Sequence, residues 1–197
     1  GAYIITKNTL LTRALNDTGW PIPEDLLSGP TAVAFGMQNM PGVAKAVLDI
    51  GCGTGFPLFA LAAALGPGST CIGIDPWSGA LRRAASKRDA YGVQAYTHVI
   101  RADAASIPFA DASFDCVILS LTLQAVHRTE AVLREMLRVG REAIVSFPNF
   151  GHWGARLQVV LGHMPVSETL PYEWYETPNV HHCTVADFED LCRRLGV

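Results

Sequence analysis

The chain has 197 residues, 49% of them hydrophobic and 17% charged, enough for one well-cored domain and giving no reason to propose two. Fifteen basic residues against eighteen acidic ones give a net charge of −3, which argues against a strongly basic nucleic-acid face. No apolar run approaches the roughly 20 residues of a membrane-spanning helix, and the start, Gly-Ala-Tyr-Ile-Ile-Thr-Lys, lacks a signal-peptide pattern. Five cysteines (Cys52, Cys71, Cys116, Cys183, Cys192) form no Cys-x-x-Cys pair, so a reducing cytoplasm is the expected compartment. His181-His182-Cys183 lacks the ligand spacing of zinc sites, and no metal is expected.

In chain order, residues 1–45 carry Pro21, Pro23, Pro30 and Pro41 and read as a broken helical lead-in packed over a ligand cleft. From residue 46 onward, strand and helix signals alternate. β-rich runs fall at 46–50, 71–74, 98–101, 114–119 and 142–147, with helical stretches near 56–65, 78–90 and 129–139. The order implies a parallel sheet covered by helices on both faces. The helix from Thr129 has an N-cap candidate, apolar Val132, Leu133, Met136 and Leu137, and Gly140 at its end. A last helix starts at Thr184, with Asp187 three residues on and Phe188, Leu191, Cys192 and Leu195 on one face. Residues 148–183, rich in aromatics and prolines, read as a functional insertion rather than a plain connection.

Residues 47–55 read Val-Leu-Asp-Ile-Gly-Cys-Gly-Thr-Gly: a buried strand delivering three alternate glycines to a ligand. Asp49 is costly to bury there without partners. The dinucleotide fingerprint would need glycine where Phe56 stands, and a P-loop would need a Gly-Lys-Ser/Thr that is absent. The next strand ends in Asp75-Pro76-Trp77, where an acid can accept both hydroxyls of a ribose and the following residues can flank an adenine. NAD enzymes use the same acid, so Asp75 indicates an adenosine ligand rather than one cofactor; its alternative role is a cap for the helix at Ser78. The third strand leads to Asp103-Ala104, suited to reading an adenine edge, and the fourth runs into Ser120.

Asp49, the glycines, Asp75, Asp103 and Phe114-Asp115, in this order, resemble motifs I to IV of the class I S-adenosylmethionine-dependent methyltransferases over residues 46–147. The resemblance implies a Rossmann-like α/β fold and S-adenosylmethionine as cofactor. It implies a binding set of Asp49, Gly51, Cys52, Gly53, Thr54, Gly55, Asp75, Pro76, Trp77, Asp103, Ala104 and Ser120. Ser120-Leu121-Thr122-Leu123 departs from the Asn/Asp-Pro-Pro-Tyr/Phe of amino-group methyltransferases, so a small-molecule acceptor is expected. Acceptor-side candidates are His127, Asn149, His152, Tyr172, Trp174 and Tyr175, although the favoured reading of the aromatics is that they cap the core or serve an interface.

Finer likeness begins at residue 114. Ile-Val-Ser-Phe-Pro-Asn-Phe-Gly-His-Trp (144–153), Leu-Pro-Tyr-Glu-Trp-Tyr-Glu-Thr-Pro-Asn-Val-His (170–181) and Asp-Phe-Glu-Asp-Leu-Cys-Arg (187–193) are similar to the MetW family of methionine biosynthesis. That resemblance implies association with a homoserine O-acyltransferase and leaves open whether the cofactor is consumed or sensed. Residues 1–112 look more like a generic small-molecule methyltransferase, so the chain also reads as a chimera, a design or a divergent relative. The superfamily's sixth and seventh strands have no counterpart before Val197. A truncated chain, or a homodimer formed through the exposed edge of the fifth strand, is therefore expected.

Overall fold

A computed structural model describes residues 3–6, 31–36, 45–167 and 171–196. The elements are β1 (Tyr3–Thr6), β2 (Thr31–Gly36), β3 (Ala46–Ile50), α1 (Leu58–Leu65), β4 (Thr70–Asp75), α2 (Ser78–Arg88), β5 (Thr97–Arg101) and β6 (Phe114–Ser120). They continue with α3 (Thr129–Val139), β7 (Gly140–Pro148), α4 (Trp153–Val160) and α5 (Val185–Leu195). A 3-10 turn occupies Leu123–Ala125. The seven strands make one sheet in the order β1-β2-β7-β6-β3-β4-β5. From β7 to β5 all neighbours are parallel, as the alternating signals require.

β3 lies at the centre, and its side chains alternate between two cores. Leu48 and Ile50 join Met136 of α3 and Phe188 of α5, whereas Val47 joins Phe59 of α1 and Leu81 of α2. A strand buried on both faces needs apolar residues at successive positions, which is why it reads as a continuous run. The chain passes from β3 through α1 to β4 on one side, then returns from β5 to β6 on the other. The sheet order therefore reverses between β3 and β6, the place in open α/β sheets where ligands bind at the carboxyl ends of the strands.

Two expectations change. The described parts of the lead-in are strands rather than helix, and β2 pairs antiparallel with β7 from Thr31↔Pro148 to Phe35↔Ile144. The β7 edge is thus covered, which removes the exposed edge on which the homodimer was argued; the rest of the lead-in lies outside the described residues. On α3 the buried set is Val132, Leu133, Met136 and Val139, with Leu137 42% exposed. Val139 goes inward because β7 follows without a loop. Gly140 makes this possible: a Cβ there would press on the Val117 side chain and lie 3.1 Å from Met136 O.

The loop after β5 is fastened to α3 by one arginine. Arg138 donates from Nε to Glu135 (2.7 Å), from Nη1 to Phe109 O (2.8 Å) and Asp111 Oδ1 (2.9 Å), and from Nη2 to Ile107 O (3.0 Å). Glu135 in turn accepts from Ile107 N at 2.7 Å. Hydrogen bonds from Arg138, then from Ile107 N, hold the Glu135 carboxyl down to about 2. A depressed carboxylate stabilises the fold above its unfolded pKa and loses that contribution as pH falls through its folded one. Arg138→Met should lower Tm at neutral pH, with the deficit shrinking between pH 4.5 and about 2 in thermal melts. A deficit independent of pH would show that the ion pair is not its source.

Candidate functional site

The glycine loop is stitched to the neighbouring strand by its own backbone. Gly51 N and Cys52 N both donate to Ile74 O, at 2.8 and 3.1 Å. Gly51, Gly53 and Gly55 have φ of +71°, +52° and +96°, the left-handed region that side chains resist. At Gly51 a Cβ would also meet Thr122 Cγ2 at 2.5 Å, and at Gly55 it would collide with the Phe59 ring. Around Gly53 the nearest atom to such a Cβ is Gly51 O at 3.9 Å, so here the backbone is open to a close-approaching ligand.

Asp75 closes the loop from β4. Its Oδ2 accepts from Gly53 N at 3.0 Å and its Oδ1 from Trp77 N at 2.8 Å. Trp77, not Asp75, takes the N-cap position of α2, and no side chain caps that helix. Its indole is 58% exposed, with the Arg83 guanidinium 5.3 Å from the ring centre. Pro76 is held through its carbonyl, which accepts from Arg101 Nε at 3.2 Å. Thr54 accepts from Lys87 Nζ at 3.2 Å.

Asp49 sits beneath this loop, 1% exposed, and neither carboxyl oxygen has a partner among the described residues. Burial, then the charge of Asp75, pushes its carboxyl up to about 8. It is therefore protonated at neutral pH, the usual outcome when a lone carboxylate would be stranded in an apolar surround.

The remaining residues of the set divide. Cys52 is buried, with its sulfur packed toward Gly73 beside Leu58, which turns its side chain away from the loop surface; burial drives the thiol to about 12. Asp103 and Ala104 follow β5, and both Asp103 oxygens are engaged: Oδ1 by Ala105 N at 2.9 Å and Oδ2 by Arg128 Nη2 at 2.7 Å. Ser120 ends β6 on the far side of β3, its hydroxyl 3.4 Å from that of Ser146. Leu121 follows at φ +46°, and Thr122 donates to Ser120 O at 2.8 Å.

Thr122, Lys87 and Arg128 belong to the site by these contacts, and sequence reasoning missed all three. Only Thr122 carried a signal, its closeness to the end of the fourth strand.

Of the acceptor-side candidates, Asn149 accepts from Gly151 N and His152 Nδ1 caps α4 through Gly154 N. Both line a groove of about 160 Å³ with Phe150, Ala155 and Gln158. Tyr172, Trp174 and Tyr175 are exposed.

A carboxyl group with a raised pKa keeps a proton in the folded chain that the unfolded chain releases, so its stabilising contribution is present below the ordinary value of 3.8 and is lost as pH rises toward about 8. Asp49→Asn removes that loss. Its Tm should exceed the wild type's by a margin that grows from pH 4 to pH 8. A constant or shrinking margin in melts across that range would mean that Asp49 is ionised in the fold.

The sequence profile of the family described as methionine biosynthesis protein MetW matches residues 36–197. The bifunctional methionine biosynthesis protein MetXA/MetW of Rhodopirellula baltica is 33% identical over 98% of this chain, which spans 32% of that protein. A demethylmenaquinone methyltransferase of Lactobacillus johnsonii is 36% identical over 47% of this chain and 38% of its own length. The chain thus spans well under half of these curated relatives.

Among solved structures, a SAM-dependent methyltransferase from Thermotoga maritima shares the fold, with a TM-score of 0.56 and 22% identity over 80% of this chain and 64% of its own. Residues 1–50 separately match the profile described as ribosomal protein L10. There the large ribosomal subunit protein uL10 of Chloroflexus aggregans is 49% identical over 25% of this chain and 27% of its own length. With a profile match over most of its length and a relative 33% identical over 98% of it, the chain belongs to the MetW family and is a class I methyltransferase-like protein.

Proposed function

We propose that the chain binds S-adenosylmethionine at the carboxyl ends of β3, β4 and β5 and transfers its methyl group to a small-molecule acceptor. The observation that carries this reading is the loop at Gly53, open on its ligand side and tied through its N–H to Asp75, above a buried Asp49 without a partner among the described residues. The residues fit a nucleoside that bears positive charge. Asp75 has the two carboxylate oxygens that ribose hydroxyls need, Trp77 an exposed indole for the adenine face, and Gly51, Cys52, Thr54 and Gly55 the loop backbone. Asp103 and Ala104 meet the ring edge once Arg128 yields one Asp103 oxygen, and Ser120 closes the far wall. Pro76 sets the turn between Asp75 and Trp77.

When bound, the sulfonium supplies an electrophilic methyl group for in-line displacement. The protein's task is then to orient the partners and exclude water, for which no dedicated acid–base pair is required. A cationic ligand above Asp49 favours its carboxylate form, so binding at neutral pH should release a proton.

A second reading is favoured by the bifunctional relative: the module serves a homoserine O-acyltransferase in methionine synthesis, with cofactor bound as a signal. Both readings suit a reducing cytoplasm, given the free cysteines.

Calorimetric titration with S-adenosylmethionine and S-adenosylhomocysteine tests the shared premise. Binding of both is expected, weakened about tenfold or more by Asp75→Ala, with a proton released at pH 7 in buffers of differing ionisation enthalpy. Binding of neither would overturn it. Turnover of a labelled methyl group into an acceptor then separates enzyme from sensor.

A further inference from the structure

Helix α4 has its apolar side turned outward. Of its eight residues only Ala155 is buried. Trp153 is 72% exposed, Leu157 49% and Val160 80%, at spacings of four and three that put them on one helical face. Leu161 and Met164 extend the patch beyond the helix, at 66% and 48% exposure.

Besides the buried Ala155, the helix is held by polar contacts near the surface. Gln158 clasps the returning chain, donating to Val166 O at 3.2 Å and accepting from Val166 N at 3.0 Å. This is the reverse of a surface helix on a finished domain, which puts its apolar stripe toward the core.

The patch is also nearly uncharged. Between residues 143 and 167, Arg156 is the only Asp, Glu, Lys or Arg. Depletion of charge around aromatic and aliphatic residues marks the centre of a protein interface, and apolar patches of this kind mark interaction sites.

A relative points to what covers it. In the Rhodopirellula baltica relative, the stretch matching this chain is 32% of a bifunctional MetXA/MetW polypeptide, so there the MetW-like module is carried beside a MetXA module. We propose that the outward face of α4, centred on Trp153, Leu157 and Val160, is the docking surface for the acyltransferase. The partner surface is an apolar groove with a carboxylate near its rim to meet Arg156. This inference rests on the second functional reading and adds the place of contact.

The test uses the full chain and the homoserine O-acyltransferase of the same organism, mixed for sedimentation and calorimetry. Leu157→Glu and Val160→Glu are made singly, each at an exposed position that leaves the core untouched, with Leu137→Glu on α3 as a control. The expected result is a heterocomplex weakened roughly thirtyfold or more by each α4 variant, unaffected by the control, with S-adenosylhomocysteine binding unchanged throughout. A wild-type complex that both α4 variants retain within twofold would overturn the docking surface while leaving the partner reading intact. No wild-type complex would overturn the partner reading and the surface together. Self-association of the chain that Val160→Glu abolishes, without heterocomplex, would assign the face to a second copy and overturn the proposal.

Discussion

Asp49 is the penultimate residue of a strand buried on both faces, and neither of its oxygens has a partner among the described residues. A polar group in that position costs stability, so a fold that carries it does so for something other than packing. Asp75 stands on the adjacent strand and raises the cost of ionising Asp49 further. The loop above cannot relax away, because Gly51 N and Cys52 N are committed to Ile74 O and Gly53 N to Asp75. The rest of the site takes its position from this pinned corner. Thr122 packs against Gly51 from the β6 side, and Lys87 reaches Thr54 from α2.

The corner was legible because its chemistry is local in sequence. Alternate glycines after a strand require left-handed backbone, and all three have it. The acid at the end of the next strand turns toward them. The capping box of α5 was legible for the same reason: Thr184 and Asp187 exchange bonds within one turn, as their spacing implies. Contacts across long separations were not. Arg128 reaches Asp103 over 25 residues and Arg138 reaches Asp111 over 27, and an arginine's spacing says nothing about which carboxylate it will meet.

Apolar periodicity tells that a residue seeks cover, not what provides it. Leu137 belongs to the same apolar series as Val132, Leu133 and Met136, yet the direct passage from α3 into β7 gives the buried place to Val139. In α4, within the segment read as an aromatic insertion, Trp153, Leu157 and Val160 lie exposed while Gln158 holds the returning chain. The described parts of the N-terminal lead-in are strands, and β2 pairs antiparallel with β7. A strand drawn from that stretch closes the β7 edge that would otherwise lie open to other chains.

The central claim is that the pinned loop, Asp75 and Asp49 form one nucleoside site at the reversal of the sheet order. A crystal structure of the chain with S-adenosylhomocysteine tests it most directly. The account predicts ribose hydroxyls on the Asp75 carboxylate and ligand atoms in van der Waals contact with Gly53. Ligand seated elsewhere, such as the groove beside α4, with the Asp75 corner unchanged, would contradict it.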